Sequence, residues 1–174
     1  HTTYHVGDGM VADFDPSHPG MECFASEDRK GGSTDKYLLT ATGKKINTTN
    51  AEVPGCRNWI WWDADLLRET FKGDDNRWGA SSSSGGRKQS IWKWQGEVLT
   101  EGIEGDILMI ADLEGDWREE LITALPGELR IYHTNIPARD RRVTLMQDPL
   151  YRSYVAHRSM GYPQSPVPSF YLGE

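Results

Sequence analysis

The sequence predicts an all-β fold of antiparallel strands, arranged as part of a β-propeller. Apolar segments that run into acidic residues recur about every fifty residues, which is the usual length of one four-stranded propeller blade. The 18 Gly and 9 Pro divide the chain into short segments that end in turns, as antiparallel strands do. Apolar residues rarely repeat at helical spacing, so no long helix is expected.

Three hexapeptides carry the repeat: MVADFD, IWWDAD and MIADLE. Their fourth residues are Asp13, Asp63 and Asp112, which are separated by 50 and 49 positions. A closed propeller needs about four to eight blades, whereas this chain has room for about three to four. The sequence therefore predicts one partial propeller domain, residues 1–174, with blade-like units at about 1–50, 51–100 and 101–174.

A few segments are predicted individually. Asp65–Phe71 has short-range helical character, and we predict a short helix there. Gly79–Gly86 is rich in Gly and Ser, which predicts a flexible surface loop. Most of the 7 Trp are predicted to fill the core between blades rather than to stack on sugars, because pairs such as Trp59 and Trp61 share one strand face.

The charge balance narrows the possible partners. The formal net charge is −7, from 26 acidic and 19 basic residues, with no clustered basic face of the kind that binds nucleic acid. Carboxylates loaded with a divalent cation would lower this negative charge, and calcium is the natural candidate. No apolar run approaches the roughly 18 to 20 residues of a membrane span, so we expect no membrane partner.

The two cysteines and one glycosylation sequon are relevant to whether the protein is secreted. Cys23 and Cys56 could form a disulfide or remain two buried thiols, and the sequence leaves both open. Asn47-Thr48-Thr49 is a glycosylation sequon, which hints at secretion. We expect a secreted protein, extracellular or periplasmic, whose export signal has been removed or lies upstream.

Acidic side chains flank turns that follow the repeated segments. Alternating carboxylates, a turn built by Gly and Pro, and a later acid can surround one hard cation with the oxygen ligands that calcium prefers. Asp63 and Asp65 have no comparable later acid in their turn, so calcium and a solvated turn both remain open there. The predicted calcium ligands are Asp13, Asp15 and Glu22 in the first turn and Asp112, Asp116, Glu119 and Glu120 in the third, with Asp63 and Asp65 as further candidates.

Several separated motifs resemble polysaccharide lyase family 11, the rhamnogalacturonan lyases. The most specific are GDWREE at 115–120 and TLMxDPxYR at 144–152, and nearly the whole chain takes part. Further matches are residues 7–22, WWD at 61–63, DLLRE at 65–69, AD at 111–112, LRIY at 129–132, GY at 161–162 and FYLG at 170–173.

The resemblance implies a calcium-binding, eight-bladed propeller of which this chain is the C-terminal third or so. The remaining blades would come from an upstream segment or from a companion chain. The implied activity is cleavage of rhamnogalacturonan, or a related acidic polysaccharide, by calcium-assisted β-elimination. An alternative from another class is a non-catalytic calcium-binding propeller that binds glycans or serves in adhesion.

This sequence departs from the family pattern at polar positions of the expected cleft. The family's Gly-Thr-Lys-Gly-Thr segment is replaced by GIEGD at 102–106, and the lysine is lost. The positions where the resemblance implies histidine hold Val6, Val11, Ser26 and Gln147. These departures imply another substrate, a divergent mechanism or lost activity.

The surviving polar residues supply the candidates for chemistry. Elimination requires a neutralised uronate carboxylate, a base for the C5 proton and a proton for the leaving O4. A Tyr beside an Arg is a workable acid or base, because the cation lowers the pKa of the phenol. We predict Tyr151 and Arg152 as catalytic and Arg130, Tyr132, His133, Arg141 and Tyr162 as substrate-binding residues.

Overall fold

The computed structural model describes residues 6–27, 35–46, 58–72, 88–160 and 164–173. Within these ranges, strands in chain order form three antiparallel sheets. The first sheet contains β1 (Val6–Ala12), β2 (Glu22–Glu27) and β3 (Lys36–Leu39); the second contains β4 (Trp59–Ile60), β5 (Glu69–Lys72), β6 (Lys88–Trp92) and β7 (Val98–Glu104); the third contains β8 (Asp106–Ala111), β9 (Glu120–Leu125) and β10 (Glu128–Tyr132).

The predicted all-β class is confirmed. Each sheet is a meander of sequential strands, with three, four and three strands. The described sheets do not close into a ring, so arrangement around a propeller axis stays a prediction. A short 3₁₀ helix, Leu145–Gln147, and one α-helix, α1 (Pro149–Arg158), follow the third sheet.

Aromatic side chains pack the first sheet against the second. Phe14 and Phe24 belong to the first sheet region, and their ring centroids lie 4.7 and 5.2 Å from the ring of Trp59 in β4. Leu38 completes this fully buried cluster. Burial of a large aromatic side chain contributes roughly 1.5–3 kcal/mol, so these contacts fix the sheet pair.

Aliphatic side chains join the second sheet to the third. Ile60, Ile91 and Ile103 of the second sheet contact Ile110 and Leu121 of the third in one buried cluster. Each of the five lies on a different strand, so the cluster spans the faces of both sheets. The two clusters confirm that apolar faces, and Trp59 among them, fill the space between sheets.

Two backbone hydrogen bonds link the sheets in series. The N–H of Arg68 donates to the carbonyl of Asp13 at 2.7 Å, and the N–H of Glu119 donates to the carbonyl of Trp61 at 2.9 Å. Asp13 and Trp61 are thus equivalent acceptors, and Asp13, Trp61 and Asp112 each directly follow the first strand of their sheet, which makes them the matching positions of the repeat. Because Trp61 and not Asp63 is equivalent to Asp13, the true spacings are 48 and 51, and the predicted alignment of Asp63 was wrong by two residues.

The predicted helix at Asp65–Phe71 is wrong. Glu69–Lys72 is strand β5, and the residues before it form tight turns. The side chain of Asp63 accepts from the Asp65 N–H, and that of Asp65 accepts from the Leu67 N–H, both at 2.9 Å. Aspartate side chains that bond nearby backbone compete with helix formation, which explains the error.

Helix α1 was not predicted from periodicity. Its N-terminus has a clear signal, because Asp148 accepts from the Tyr151 N–H at 2.9 Å and Pro149 occupies the first helical turn. Its buried residues, however, are only Tyr151 and Arg158, so the apolar pattern is weak. The helix packs with the C-terminal segment around buried Trp61 and Trp117.

Some sequence-based predictions lie outside the described residues. These are the loop Gly79–Gly86, the sequon at Asn47, Cys56 and therefore its pairing with Cys23, and Tyr162. Within the described ranges, helices are too short or too polar to cross a membrane.

Candidate functional site

A buried polar network holds the second and third sheets to helix α1. Glu119 pairs with Arg68, with Nη2 and Oε1 3.3 Å apart, and accepts from the Tyr151 hydroxyl at 2.7 Å. Its other oxygen accepts from the Trp61 N–H at 3.0 Å, and the Arg68 guanidinium lies 3.7 Å above the Trp61 ring. The hydroxyl oxygen of Tyr151 accepts in turn from the Asp112 N–H at 3.0 Å.

Tyr151, predicted as catalytic, is part of this network. Its exposed fraction is 0%, and burial, followed by the charge of Glu119, raises the pKa of the phenol well above its usual value. The expected lowering of this pKa by a neighbouring cation is therefore wrong. The Tyr151 hydroxyl has no exposed surface in the described chain, and its catalytic role stays a prediction.

Arg152 follows Tyr151 in the chain, but its side chain contacts the 3₁₀ helix. Its Nη1 donates to the carbonyls of Met146 and Gln147 at 2.7 and 3.1 Å. These are the last carbonyls of the 3₁₀ helix, which otherwise lack intrahelical donors. Arg152 thus stabilises the turn that leads into α1.

Arg130 and Tyr132 occupy one half-buried face of β10. Arg130 pairs with Glu104 at 2.7 Å and with Glu128 at 2.5 Å, and its Nη1 lies 3.5 Å from the Tyr132 hydroxyl. That hydroxyl accepts from the Glu104 N–H at 3.2 Å. This places a phenol beside a guanidinium, the arrangement that was predicted for Tyr151 and Arg152.

The other two predicted substrate-binding residues within the described ranges lie at the surface. His133 is exposed, with its Nδ1 3.6 Å from Glu114 Oε1, and Arg141 is exposed.

The first acidic turn contains a carboxylate oxygen without a donor. Glu22 is fully buried, and its Oε2 accepts from the N–H groups of Phe14 and Asp15, each at 3.1 Å. Within the described ranges its Oε1 has no hydrogen-bond partner. Burial, together with the charges of Asp13 and Asp15, raises the pKa of Glu22 to about 7.

The other two acids of this turn have protein donors. Asp15 accepts from the Ser17 N–H at 2.9 Å and contacts His18 Nδ1 at 3.0 Å, and Asp13 accepts from the Tyr171 hydroxyl. The unpartnered buried oxygen of Glu22 could therefore accept a hard cation, and calcium at this turn stays a prediction.

The third acidic turn has more of its oxygens occupied by the protein. Asp112 accepts from the Gly115 N–H at 2.8 Å, the Thr144 hydroxyl at 2.8 Å and the Leu145 N–H at 2.7 Å. Asp116 pairs with Arg118, and Glu119 with Arg68. Glu120 accepts from the Leu113 and Glu114 N–H groups, and burial raises its pKa to about 7. Calcium at this turn stays a prediction.

The middle turn brings three carboxylates of the described chain together. One oxygen from each of Asp63, Asp65 and Glu69 falls within 4.8 Å of the others, so the group could bind a metal ion. Burial, followed by the charge of Asp63, raises the pKa of Glu69 well above its usual value. Lys93 Nζ contacts Asp63 at 2.5 Å and Asp65 at 2.6 Å.

Sequence reasoning missed Glu69 and Lys93. Glu69 could have been found by the repeat, because Glu22, Glu69 and Glu120 each begin the second strand of a sheet and accept N–H groups of the preceding turn. Lys93 had no local signal, because it lies 28 positions from Asp65.

A cavity of about 460 Å³ lies between β1 and the C-terminal segment 164–173. Met10 and Leu66 line its apolar side, and Arg68 and Asp13 contribute charged groups. The segment is held across the sheets by Ser165, whose hydroxyl contacts the Trp59 N–H and carbonyl at 2.6 and 2.7 Å.

A comparison with protein families identifies the family of this chain. Residues 1–174 match the model of the C-terminal domain of rhamnogalacturonan lyase family 11. The chain belongs to this family. The family resemblance inferred from the motifs is therefore confirmed.

Two curated family members from Bacillus subtilis (strain 168) are similar along the whole chain. Rhamnogalacturonan endolyase YesW is 41% identical over 172 residues, which cover 97% of this chain and 26% of the relative. Rhamnogalacturonan exolyase YesX is 35% identical over 185 residues, which cover 99% and 29%. The chain thus spans about a quarter of the length of these lyases.

Solved structures of family 11 lyases superpose on the fold. Rhamnogalacturonan lyase YesW aligns with a TM-score of 0.69 at 34% identity, over 97% of this chain and 27% of that one. The Bacillus licheniformis family lyase aligns with the same score at 33% identity and the same coverage.

Proposed function

We propose that the chain is the C-terminal part of a secreted rhamnogalacturonan lyase that cleaves an acidic polysaccharide by β-elimination. The family match over residues 1–174 carries this proposal. One relative is named an endolyase and the other an exolyase, so both modes of cleavage are compatible with the family. Extracellular or periplasmic action suits a polymeric substrate.

The surface of the third sheet supports a larger assembly. Leu129 and Ile131 of β10 are 68% and 62% exposed. They alternate with Arg130 and Tyr132, and Tyr132 packs on the core shared with the second sheet, so the two apolar residues lie on the opposite face. We propose that further sheets of a propeller, from an upstream segment or a companion chain, cover this face.

Arg130 and Tyr132 are the described groups best arranged for the chemistry. Elimination needs a cation on the uronate carboxylate and a proton for the departing oxygen. Arg130 would supply the cation by exchanging Glu104 or Glu128 for the substrate carboxylate. The Tyr132 hydroxyl, 3.5 Å from Arg130, would supply the proton. We assign no described residue to removal of the C5 proton.

Calcium would be held by Asp13, Asp15 and Glu22. Bound there, it would neutralise the acidic turn at the end of β1 and lower the repulsion of an acidic substrate. Glu22 already fixes the turn through two N–H groups, which leaves Oε1 for the ion.

The lyase proposal is tested by incubating the full-length protein with rhamnogalacturonan and following the ultraviolet absorbance of the unsaturated uronate product. We expect Arg130→Ala and Tyr132→Phe each to lower turnover on the order of 100-fold. Arg139→Ala removes an exposed arginine outside this face and serves as the control, with turnover retained. Binding of the polysaccharide without a rise in absorbance would instead identify a glycan-binding protein.

A further inference from the structure

Lys93 places a positive charge inside the acidic cluster of the middle turn. Its Nζ lies 2.5 Å from Asp63 Oδ2 and 2.6 Å from Asp65 Oδ2. Both contacts are charge-assisted hydrogen bonds from an ammonium to a carboxylate. The ammonium therefore occupies the position from which a metal ion would contact the same two carboxylates.

The backbone around Lys93 fixes this placement. Lys93 lies in the tight turn between β6 and β7, where its N–H donates to the Glu97 carbonyl and its carbonyl accepts from the Gly96 N–H, both at 3.1 Å. The next residue, Trp94, packs on the first core, with its ring centroid 5.0 Å from that of Phe14. The lysine thus projects from an anchored hairpin.

The cations near the other two acidic turns are arranged differently. In the first turn, Asp15 contacts His18, and Glu22 Oε1 remains without a partner in the described chain. In the third turn, Asp116 pairs with Arg118 from the same loop. Among the described residues, the middle turn alone has a lysine from a distant hairpin, Lys93, that bridges two of its carboxylates, those of Asp63 and Asp65.

We propose that Lys93 is a built-in cation that replaces a divalent metal ion in the middle turn. Asp63 and Asp65 are then ligands of an ammonium, and calcium bound elsewhere in the chain does not depend on them. Two cations cannot share the same carboxylate oxygens without strong repulsion. Removal of the ammonium leaves Asp63, Asp65 and Glu69 as an oxygen site suited to a hard divalent cation. The inference is independent of lyase activity.

The test is the number of calcium ions bound per chain, measured by elemental analysis after equilibrium dialysis of the full-length protein. We expect Lys93→Met to bind one more calcium ion than the wild type and to melt at a higher temperature when calcium is added. Lys88→Met, an exposed lysine on β6, is the matched control and should bind the wild-type number.

Asp63→Asn in the wild-type background provides a second arm that does not depend on the folding of Lys93→Met. If Lys93 is the resident cation, Asp63→Asn leaves the number of bound calcium ions unchanged. A loss of one ion in Asp63→Asn would overturn the proposal, because the metal would then share the cluster with Lys93. A folded Lys93→Met variant that gains no calcium would overturn it as well.

Discussion

Arg68 and Glu119 form an ion pair between the second and third sheets, with Nη2 and Oε1 3.3 Å apart and side chains only 2% and 0% exposed. Burial raises the pKa of Glu119, and Arg68 opposes this effect. Such a pair depends on both partners, because either charge alone would be buried without compensation.

The first prediction follows from this pair. Arg68→Met should lower the free energy of unfolding by about 3–5 kcal/mol, because it leaves the buried carboxylate of Glu119 without its cation. Urea denaturation measures the change. The double variant Arg68→Met/Glu119→Leu should recover much of the loss, and a single-variant loss below about 1 kcal/mol would show that the pair behaves as an exposed one.

A second prediction concerns Gly105, which joins β7 to β8. Its φ is +99°, and a Cβ there would lie 2.6 Å from the Ala124 carbonyl oxygen. Gly105→Ala should therefore cost more stability than Gly102→Ala, whose φ is +75° but whose Cβ would meet open space. Backbone strain alone accounts for about 1–3 kcal/mol at each position. Equal melting temperatures of the two variants would contradict the clash.

The third prediction is a pH dependence in the presence of a chelator. Burial raises the pKa of Glu22 and of Glu120 from 4.5 to about 7, so the folded state binds more protons than the unfolded state between these values. Their stabilising contribution is complete below about pH 4.5 and is lost as the pH rises through 7. Urea denaturation across this range should show falling stability, and Glu22→Gln/Glu120→Gln should flatten the profile. Stability that rises over the same interval would contradict it.

The fourth prediction concerns the N-cap of α1. Asp148 accepts from the Tyr151 N–H at 2.9 Å and from the N–H and hydroxyl of Ser169. Asp148→Ala should cost about 0.5–2 kcal/mol, because the helix loses its cap and the C-terminal segment loses an anchor. Asp140→Ala, at an exposed position, is the control for thermal denaturation. An effect no larger than that of the control would show that the cap is dispensable.

The fifth prediction separates two roles for Arg152. If the Arg152 guanidinium acts on the substrate, Arg152→Ala should lower turnover and leave calcium affinity and melting temperature unchanged. The hydrogen bonds to Met146 and Gln147 predict instead that activity and melting temperature fall together. We expect the second outcome, with a stability loss of about 1 kcal/mol. A selective loss of turnover would instead support the predicted catalytic role of Arg152.

The sequence predicted the strands whose position depends on a local pattern of residues. The segments around Met10, Ile60 and Met109 enter β1, β4 and β8 because apolar residues before a turn must be buried between sheets. Motifs such as GDWREE pointed to the family that the comparison then showed. The shift of the repeat marker from Asp63 to Trp61 depended on backbone contacts between sheets, which a single sequence does not encode locally.

The candidate site was predictable in part. Carboxylates were expected in each turn, and they lie there, but which oxygens already have donors depends on distant residues. Tyr171 reaches Asp13 across 158 positions, and Thr144 reaches Asp112 across 32. The pairing of a phenol with a guanidinium was anticipated at Tyr151 and Arg152, but strand alternation places such a pair at Arg130 and Tyr132.

The serial links between sheets also provide reporters of how the chain unfolds. The amides of Arg68 and Glu119 are bonded to carbonyls of the preceding sheet rather than of their own. Their hydrogen exchange therefore requires separation of neighbouring sheets, whereas exchange of amides inside β2 or β9 requires loss of a strand pair. If the amides of Arg68 and Glu119 exchange at one common rate, the three sheets separate as a single cooperative unit. Unequal rates would show that one pair of neighbouring sheets separates before the other.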